Sequence, residues 1–144
     1  VTIGNSVISI GNGAFSGCSG LTNINIPNSV TSIEEYAFSN CSGLTSITVD
    51  KSNTVYDSRD NCNAIIETSS NTLLIGCKDT AIPNTVTRIG TKAFYGCSGL
   101  TSVTIPNSVT SIEDYTFLGC SDLTSVTIPN SVISIGENAF YGCI

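Results

Sequence analysis

The chain has 144 residues, a formal net charge of −6 and a charged fraction of 11%, well below the quarter that is usual in soluble domains. Five basic residues against eleven acidic ones exclude the Lys/Arg-rich surface with which proteins bind nucleic acids. The sequence has no apolar run long enough to span a bilayer and no histidine, so neither a membrane-spanning segment nor a histidine-based catalytic site is expected.

A pattern of 23 residues repeats along the chain, and such a period is typical of stacked repeat proteins. Most units open with Ile-Pro-Asn-Ser/Thr-Val, and the first has glycine in place of proline. A phenylalanine follows, with a cysteine three residues later, at Phe15 and Cys18, Phe38 and Cys41, Phe94 and Cys97, Phe117 and Cys120, and Phe140 and Cys143. The units are 3–25, 26–48, 49–81, 82–104, 105–127 and the partial 128–144, and among the full units only 49–81 differs in length, with 33 residues.

The predicted elements recur in the same order in each unit. After the proline comes a short apolar step, from Val109 to Ile112 in unit 105–127. Acidic residues such as Glu113 follow, and a helical or 3-10 turn fits there because carboxylates are favourable near a helix N-terminus. Each unit ends with alternating apolar and polar residues, as at 100–105, which predicts a strand with one buried face.

The 33-residue unit contains two β-rich runs, residues 63–68 and 72–76, around a Ser-Ser-Asn turn, which predicts a hairpin. All five basic residues lie between positions 51 and 92, while the acidic residues are spread along the chain. If the array recognises a ligand, this hairpin unit is the expected source of specificity, through Arg59, Asp60, Glu67 and Lys78.

Seven cysteines are present, and the five at the repeat position are expected to be small buried apolar side chains. Cys77 takes the leucine position of its unit, whereas Cys62 has no equivalent. A hairpin that turns at Ser69-Ser70 would place Cys62 opposite Cys77, so either a disulfide or two free thiols fits the pattern. With no C-x-x-C pair and no histidine, no metal site is expected, and the sequence predicts no cofactor and no catalytic residue.

These elements predict a single solenoid over residues 1–144, because one unit cannot bury its apolar side alone whereas stacked units share a core. We expect a right-handed leucine-rich-repeat solenoid that is rich in β structure, with short helical or 3-10 turns. Its parallel strand ladder would comprise about five 23-residue units and one 33-residue unit with a hairpin. The repeat phenylalanines are expected in its core.

The unit I-P-x-S/T-V-x-x-I, followed by A-F-x-x-C-x-x-L, resembles the BspA-like, or treponemal-type, leucine-rich repeat of bacterial surface proteins. The resemblance covers nearly the whole chain, and unit 49–81 departs from it by lacking the phenylalanine and its cysteine. It implies an extracellular or cell-surface protein that adheres to host or microbial proteins, with these repeats forming part of a longer chain.

The outward side chains of the unit-ending strands are the best candidates for contact with a partner. They are short hydroxyl and amide groups, which suit broad polar contact with a protein more than a small-molecule pocket. A merely solvated sheet is the competing interpretation. We call these residues the strand face: Asn23, Asn25, Ser46, Thr48, Ser102, Thr104, Ser125 and Thr127.

The sequence therefore predicts a non-enzymatic adhesion or protein-binding scaffold. The alternative is a structural module, because self-similar units without polar caps at the ends could stack head to tail into a filament or surface layer. The partners expected are a host matrix protein or another microbial surface protein, or a second copy of the chain.

Overall fold

A computed structural model describes all residues 1–144 as a solenoid of short strands, in which each repeat unit makes one turn. The helical content is a single 3-10 turn, Arg59–Asn61, and no helix has the length and apolar character needed to cross a membrane. The strands are β1 (Ser9–Ile10), β2 (Asn23–Ile26), β3 (Ser32–Ile33), β4 (Ser46–Val49), β5 (Tyr56–Asp57), β6 (Ala64–Glu67), β7 (Thr72–Gly76), β8 (Arg88–Ile89), β9 (Ser102–Thr104), β10 (Ser111–Ile112), β11 (Ser125–Thr127) and β12 (Ser134–Ile135).

Successive regular turns pair their strands in parallel along two ladders. The strands that end the units pair as β2 with β4 and as β9 with β11, and Ile24 of one turn faces Ile47 of the next. The shorter Ser-Ile or Arg-Ile steps pair as β1 with β3, and as β10 with both β8 and β12. The parallel register follows the 23-residue period and confirms the predicted solenoid.

The 33-residue unit forms the predicted hairpin, and this hairpin joins the ladder of short steps. β6 and β7 are antiparallel, β5 pairs with the other edge of β6, and β7 pairs in parallel with β8. The resulting sheet has the order β12-β10-β8-β7-β6-β5. The hairpin therefore continues this sheet instead of projecting from it.

The segments around the repeat phenylalanines are single hydrogen-bonded turns and not regular helices. The amide of Cys97, for example, donates to the carbonyl of Phe94 at 3.0 Å. A left-handed residue lies just before the cysteine in each of these turns, with φ between 58° and 79°, and it prevents a helix from continuing. The position is occupied by Gly17, Asn40, Gly96, Gly119 and Gly142.

The buried side chains form two clusters, one on each side of the hairpin. The first cluster includes Ile47 and, from β6, Ile65. The second includes Phe117 and, again from β6, Ile66. Both hairpin isoleucines are completely buried, so adjacent residues of one strand anchor the two halves of the core.

The repeat phenylalanines stack on one another, as predicted for core residues. The ring centroids of Phe15 and Phe38 are 5.2 Å apart, those of Phe94 and Phe117 are 5.0 Å apart, and those of Phe117 and Phe140 are 5.1 Å apart. The rings lie within 14° of parallel in each pair. The stack is interrupted between Phe38 and Phe94, because the inserted unit has no phenylalanine at this position.

Asn53 fixes the start of the 33-residue unit to the unit before it. Its Nδ2 donates to the carbonyls of Pro27 and Val30, each at 2.9 Å. Its Oδ1 accepts from the amides of Val55 and Tyr56, also at 2.9 Å. An asparagine side chain has two donor hydrogens and two acceptor sites. All of them are used by Asn53 in hydrogen bonds at this junction.

Candidate functional site: a divided polar strand face

The strand face is open to solvent over most of its length. Seven of its eight residues are exposed, and Ser46 is half-buried. The residues that alternate with them, such as Ile24, Ile47 and Val103, are buried in the core. The strands therefore present their short polar side chains outward while their apolar side chains hold the turns together.

Hydrogen bonds between neighbouring turns order several side chains on and beside this face. The hydroxyl of Thr48 donates to Oδ1 of Asn25 at 2.9 Å. Beside the face, Thr45 donates from its hydroxyl to the carbonyl of Thr22 at 3.0 Å. Side chains that are already held in place lose less conformational entropy when a partner binds.

The strand face is divided into two patches, which the sequence did not reveal. We call β2 with β4 the N-terminal patch and β9 with β11 the C-terminal patch. Residues 78–81 occupy the corresponding position of the inserted unit but form no strand. There the hydroxyl of Thr80 donates to the carbonyl of Asn63 and accepts from the amide of Cys77, and the amide of Ala81 donates to the carbonyl of Cys62.

The hairpin residues proposed for specificity have different environments. Arg59 is turned inward, because its guanidinium donates to Asp57, to Asn71 at 2.7 Å and to Thr85 at 3.3 Å. The other three, Asp60, Glu67 and Lys78, are exposed or half-buried. Glu67 accepts a hydrogen bond from Ser70. Arg59 thus contributes to structure, and the other three remain the hairpin candidates for contact with a ligand.

Asp57 is the electrostatic partner of Arg59. Nε and one terminal nitrogen of Arg59 donate to the two carboxylate oxygens at 2.7 and 2.6 Å, and the hydroxyl of Thr68 adds a bond at 2.7 Å. Partial burial on its own would raise the pKa of Asp57, but the hydrogen bonds from Arg59 and Thr68 outweigh it and leave that pKa below its ordinary value. The carboxylate is therefore ionised at neutral pH and ties β5 to the hairpin.

Of the five repeat cysteines, Cys41, Cys97 and Cys120 are buried as predicted, whereas Cys143 is half-buried and Cys18, on the first turn, is exposed. The thiols of Cys41 and Cys120 donate to the carbonyls of Phe15 and Phe94 at 3.1 and 3.2 Å. Burial raises the pKa of Cys97 to about 12, which suppresses the reactive thiolate at neutral pH. Nowhere do three or more cysteine or carboxylate side chains converge as a metal-binding group.

Of the two alternatives that the sequence left open for Cys62 and Cys77, the structure has the two free thiols. Cys62 belongs to the second core cluster and Cys77 to the first. The physical reason is the register of the hairpin, in which Ala64 is opposite Gly76. Continuing that pairing places Asn63, not Cys62, opposite Cys77, and successive residues of a strand point to opposite faces.

The sequence matches the profile of the BspA-type leucine-rich repeat region in six copies, over residues 1–76 and 75–144. The chain belongs to the BspA-type leucine-rich repeat family. Among curated proteins, none matches the sequence.

Several solved structures of leucine-rich repeat proteins are similar to this fold. A leucine-rich repeat protein from Eubacterium ventriosum is 27% identical, with a TM-score of 0.79 over 94% of this chain and 37% of its own. A leucine-rich cell surface protein from Faecalibacterium prausnitzii is 32% identical, with a TM-score of 0.76 over 99% of this chain and 45% of its own. The leucine-rich repeat protein of T. pallidum is 28% identical, with a TM-score of 0.52 over 95% and 49% of the two chains. The chain thus spans less than half the length of each.

The inserted unit separates BspA-type units 26–48 and 82–104 along one edge only. At the other edge the amide of Asn40 donates directly to the carbonyl of Tyr95 at 3.2 Å. Close by, the amide of Gly76 at the end of β7 donates to the carbonyl of Ala93 at 2.8 Å. The two regular units therefore bond directly at Asn40 and meet again through the Lys92–Glu35 ion pair, whereas the hairpin lies between their short strands.

The sequence reasoning missed Tyr36 and Lys92 at this junction and Tyr115 on the next unit. Tyr36, Lys92 and Tyr115 occupy the same repeat position as Gly13 and Asn138, and all five residues have positive φ. This backbone conformation is unfavourable for bulky side chains. An alignment of the repeat units could have identified these three residues. It shows large side chains at a repeat position whose left-handed conformation is readily adopted by glycine or asparagine.

Proposed function

We propose that this BspA-type array is a non-enzymatic protein-binding scaffold that acts in adhesion at the cell surface. The observation that carries the proposal is the exposed strand face, in which short hydroxyl and amide groups recur on neighbouring turns. The family and the similar cell surface protein of Faecalibacterium prausnitzii support the same assignment. The partner proposed is a host matrix protein or another microbial surface protein.

The strand face suits an extended partner bound through many modest contacts. A single hydrogen bond contributes only about 1 kcal/mol net, and each patch consists of two short strands. Affinity would therefore arise from both patches, and from further repeats, engaging together. Asp60, which is exposed, and Glu67 and Lys78, which are half-buried, lie in the unit between the patches and would add charge-dependent selectivity.

The proposal is tested by the binding of the array to immobilised host matrix proteins, measured by surface plasmon resonance. In the test variant, Ser102, Thr104, Ser125 and Thr127 are each changed to arginine. We expect at least about a tenfold loss of affinity, because bulky charges prevent close contact and must be desolvated at a flat interface.

The matched control places four arginines at exposed asparagines of the proline turns. These residues share one repeat position outside the strand face and are Asn28, Asn84, Asn107 and Asn130. The control carries the same change in net charge and should bind like the unmodified array. Equal losses in both variants, or no loss in the test variant, would reject the strand face as the binding site.

A second proposal is association between copies of the chain. Apolar side chains that are buried in the middle turns are exposed on the first and last turns, namely Val7 at 37% and Ile135 at 51%, whereas the equivalent Val109 and Ile112 are buried. A heterologous contact between these two faces would continue the solenoid from one copy to the next. Light scattering and electron microscopy at high concentration decide this, since a purely monomeric sample would argue against stacking.

A further inference from the structure

Four of the five tyrosines of the chain lie along one edge of the solenoid, in the turns that carry the repeat phenylalanines. We call these residues the tyrosine edge: Tyr36, Tyr95, Tyr115 and Tyr141. Tyr36 is 36% exposed and Tyr141 is 68% exposed, and the other two are half-buried. Tyrosine is among the side chains that contribute most to binding in protein interfaces, whereas the strand face has no aromatic residue.

The rings of the tyrosine edge are brought together across neighbouring units. Tyr36 and Tyr95 meet edge to face, with ring centroids 5.6 Å apart. Tyr36 and Tyr115 share a repeat position, and Lys92 has this position in unit 82–104. Nζ of Lys92 lies 4.0 Å from the ring centroid of Tyr36 and 6.0 Å from that of Tyr115. The edge is therefore one continuous patch and not a set of separate rings.

The repeat position of Tyr36, Lys92 and Tyr115 is unfavourable for side chains of this size. The angle φ is 57°, 61° and 58° at these residues, in the left-handed region that glycine adopts readily. Gly13 and Asn138 have the same position in other units, so the turn does not require a large side chain. Residues held in such conformations are frequent at functional sites, which indicates a role for these side chains in contact with another molecule.

The surroundings of Lys92 show that the tyrosine edge accommodates a cation. Nζ of Lys92 forms an ion pair with Glu35 at 2.9 Å. Its contacts with Tyr36 and Glu35 raise the pKa of Lys92, so both neighbours favour the charged form. An ammonium or guanidinium group is attracted to the face of a tyrosine ring by the quadrupole of the ring. The exposed parts of Tyr36 and Tyr141 offer the same interaction to a cation from outside the chain.

The charge beside the rings also favours a basic partner. Five carboxylates lie at the two repeat positions just before the position of Tyr36, namely Glu34, Glu35, Glu113, Asp114 and Glu137. Lys92 is already paired with Glu35. Arg88 is paired with Glu113 at 3.3 Å. Three exposed carboxylates have no basic partner: Glu34, Asp114 and Glu137. Unneutralised carboxylates beside aromatic rings are complementary to arginine and lysine side chains.

An open groove lies beside Tyr36. Its lining includes Glu34 and Glu35, together with the partly exposed Leu74 and Ile75 of β7. A basic side chain packs its aliphatic stem on apolar groups while its charged head stays near carboxylates and water. The mixed lining of the groove thus matches the chemistry of a long basic side chain.

We propose that the tyrosine edge is a second interaction surface, which binds an extended basic segment of a partner protein through its arginine side chains. The guanidinium groups stack on the exposed tyrosine rings and pair with the carboxylates of Glu34, Asp114 and Glu137. Arginine is favoured over lysine because its planar group stacks on a ring and also forms paired hydrogen bonds with a carboxylate. The tyrosine edge and the strand face have different repeat positions, so this binding does not depend on the adhesive function.

The test is an NMR titration of the 144-residue chain with ¹³C-labelled tyrosine rings at physiological salt. The probes are a glycine-serine peptide with four arginines and the same peptide with four lysines. The arginine peptide should shift the rings of Tyr36 and Tyr115 saturably and bind at least about threefold more tightly than the lysine peptide. Tyr56 is the internal control, because it is buried and lies away from the edge. No saturable shift of the edge rings would overturn the proposal.

Carboxylate variants distinguish a defined site from general attraction to an acidic chain. The test variant combines Glu34→Gln, Asp114→Asn and Glu137→Gln, which removes the charges but keeps an oxygen that accepts hydrogen bonds. The control variant loses the same charge at exposed positions away from the edge, through Asp50→Asn, Asp79→Asn and Asp122→Asn. We expect about a fivefold or greater loss of affinity for the arginine peptide in the test variant alone. Equal losses in the two variants would reject the tyrosine edge as the site.

A tyrosine variant separates ring stacking from charge. Tyr36→Asn with Tyr115→Asn introduces the residue that Asn138 provides at this repeat position, and asparagine tolerates the left-handed conformation. The variant should lose the preference for arginine over lysine, with little change in melting temperature. An unchanged preference in the folded variant would contradict stacking, and if this variant does not fold, the carboxylate variants decide. Saturable binding of cellotetraose at the edge rings, without binding of the arginine peptide, would overturn the proposal and assign the edge to a glycan.

Discussion

Gly76 shows at the scale of one residue how closely the hairpin fits the regular turns. Its backbone amide bonds to Ala93, and its α-carbon faces the ring of Phe94 without space for a side chain. The backbone conformation itself is not left-handed at this glycine. The requirement is therefore steric, set by the approach of the ring.

We predict that Gly76→Ala lowers the free energy of unfolding by about 1–3 kcal/mol, the usual cost of overpacking a core. The matched control is Gly20→Ala, where an added Cβ meets no neighbouring atom within 4 Å. That change should be neutral or slightly stabilising, because alanine restricts the unfolded chain. Urea unfolding measures both, and equal stability of the two variants would contradict the close contact with Phe94.

At the scale of the elements, the ion pair between Asp57 and Arg59 holds β5, the 3-10 turn and the hairpin together. Arg59 also reaches Asn71 in the hairpin turn and Thr85 in the next unit. One guanidinium thus joins β5 and the hairpin turn, which have no repeat equivalent, to the next regular unit. Because the pKa of Asp57 is lower in the folded chain than its ordinary value of about 3.9, ionised Asp57 stabilises the fold.

The stabilisation of the fold by ionised Asp57 depends on pH. It is fully present above the ordinary aspartate pKa and is lost as the pH falls through the lower pKa of the folded state. We predict that Asp57→Asn is less stable than the unmodified chain at pH 7 and that the difference shrinks below about pH 4. Asp60→Asn, at an exposed neighbour, should show little difference. A difference for Asp57→Asn that is constant from pH 7 to pH 3 would reject this account, and thermal unfolding across the range measures it.

The regular elements could be predicted from the sequence because packing repeats with the chain. Alternation at residues 100–105 places Val103 inside and Ser102 outside, and the structure agrees. The hairpin was also predictable from its two β-rich runs and polar turn. In both cases the pattern is local, so neighbouring residues carry all the information that is required.

The connections of the hairpin could not be predicted, because they depend on contacts between distant residues. β7 pairs with β8, a strand of only two residues, and the alternation of apolar and polar residues along the sequence does not indicate this pairing. The division of the strand face depends on Thr80, whose hydroxyl bonds to Asn63 of the hairpin. The choice between a Cys62–Cys77 disulfide and two free thiols could not be made for a related reason, since strand register decides which side chains share a face.

At the scale of the whole molecule, the hairpin couples two halves of a solenoid. In repeat arrays, stability is close to a sum of unit and interface contributions. Here the two core clusters meet at β6, where Ile65 belongs to one and Ile66 to the other. Neighbouring positions in the sequence should therefore control opposite halves of the array.

We predict that Ile65→Ala and Ile66→Ala each cost about 2–5 kcal/mol, as is usual for a fully buried isoleucine, but in different places. Hydrogen exchange followed by mass spectrometry should show faster exchange in units 3–48 for Ile65→Ala. For Ile66→Ala the faster exchange should appear in units 82–144. Each variant is the control for the other, and the same exchange pattern in both would mean that the array unfolds as one cooperative block.

The direct bond between Asn40 and Tyr95 has a consequence for the shape of the array. The two regular units remain in contact at that edge, while the other edge is opened by the thickness of the inserted strands. We expect the contact edge to act as the axis of a bend, with the inserted strands as the spacer at the other edge. One longer unit would then redirect the array without changing the strand pairing between the regular units on either side.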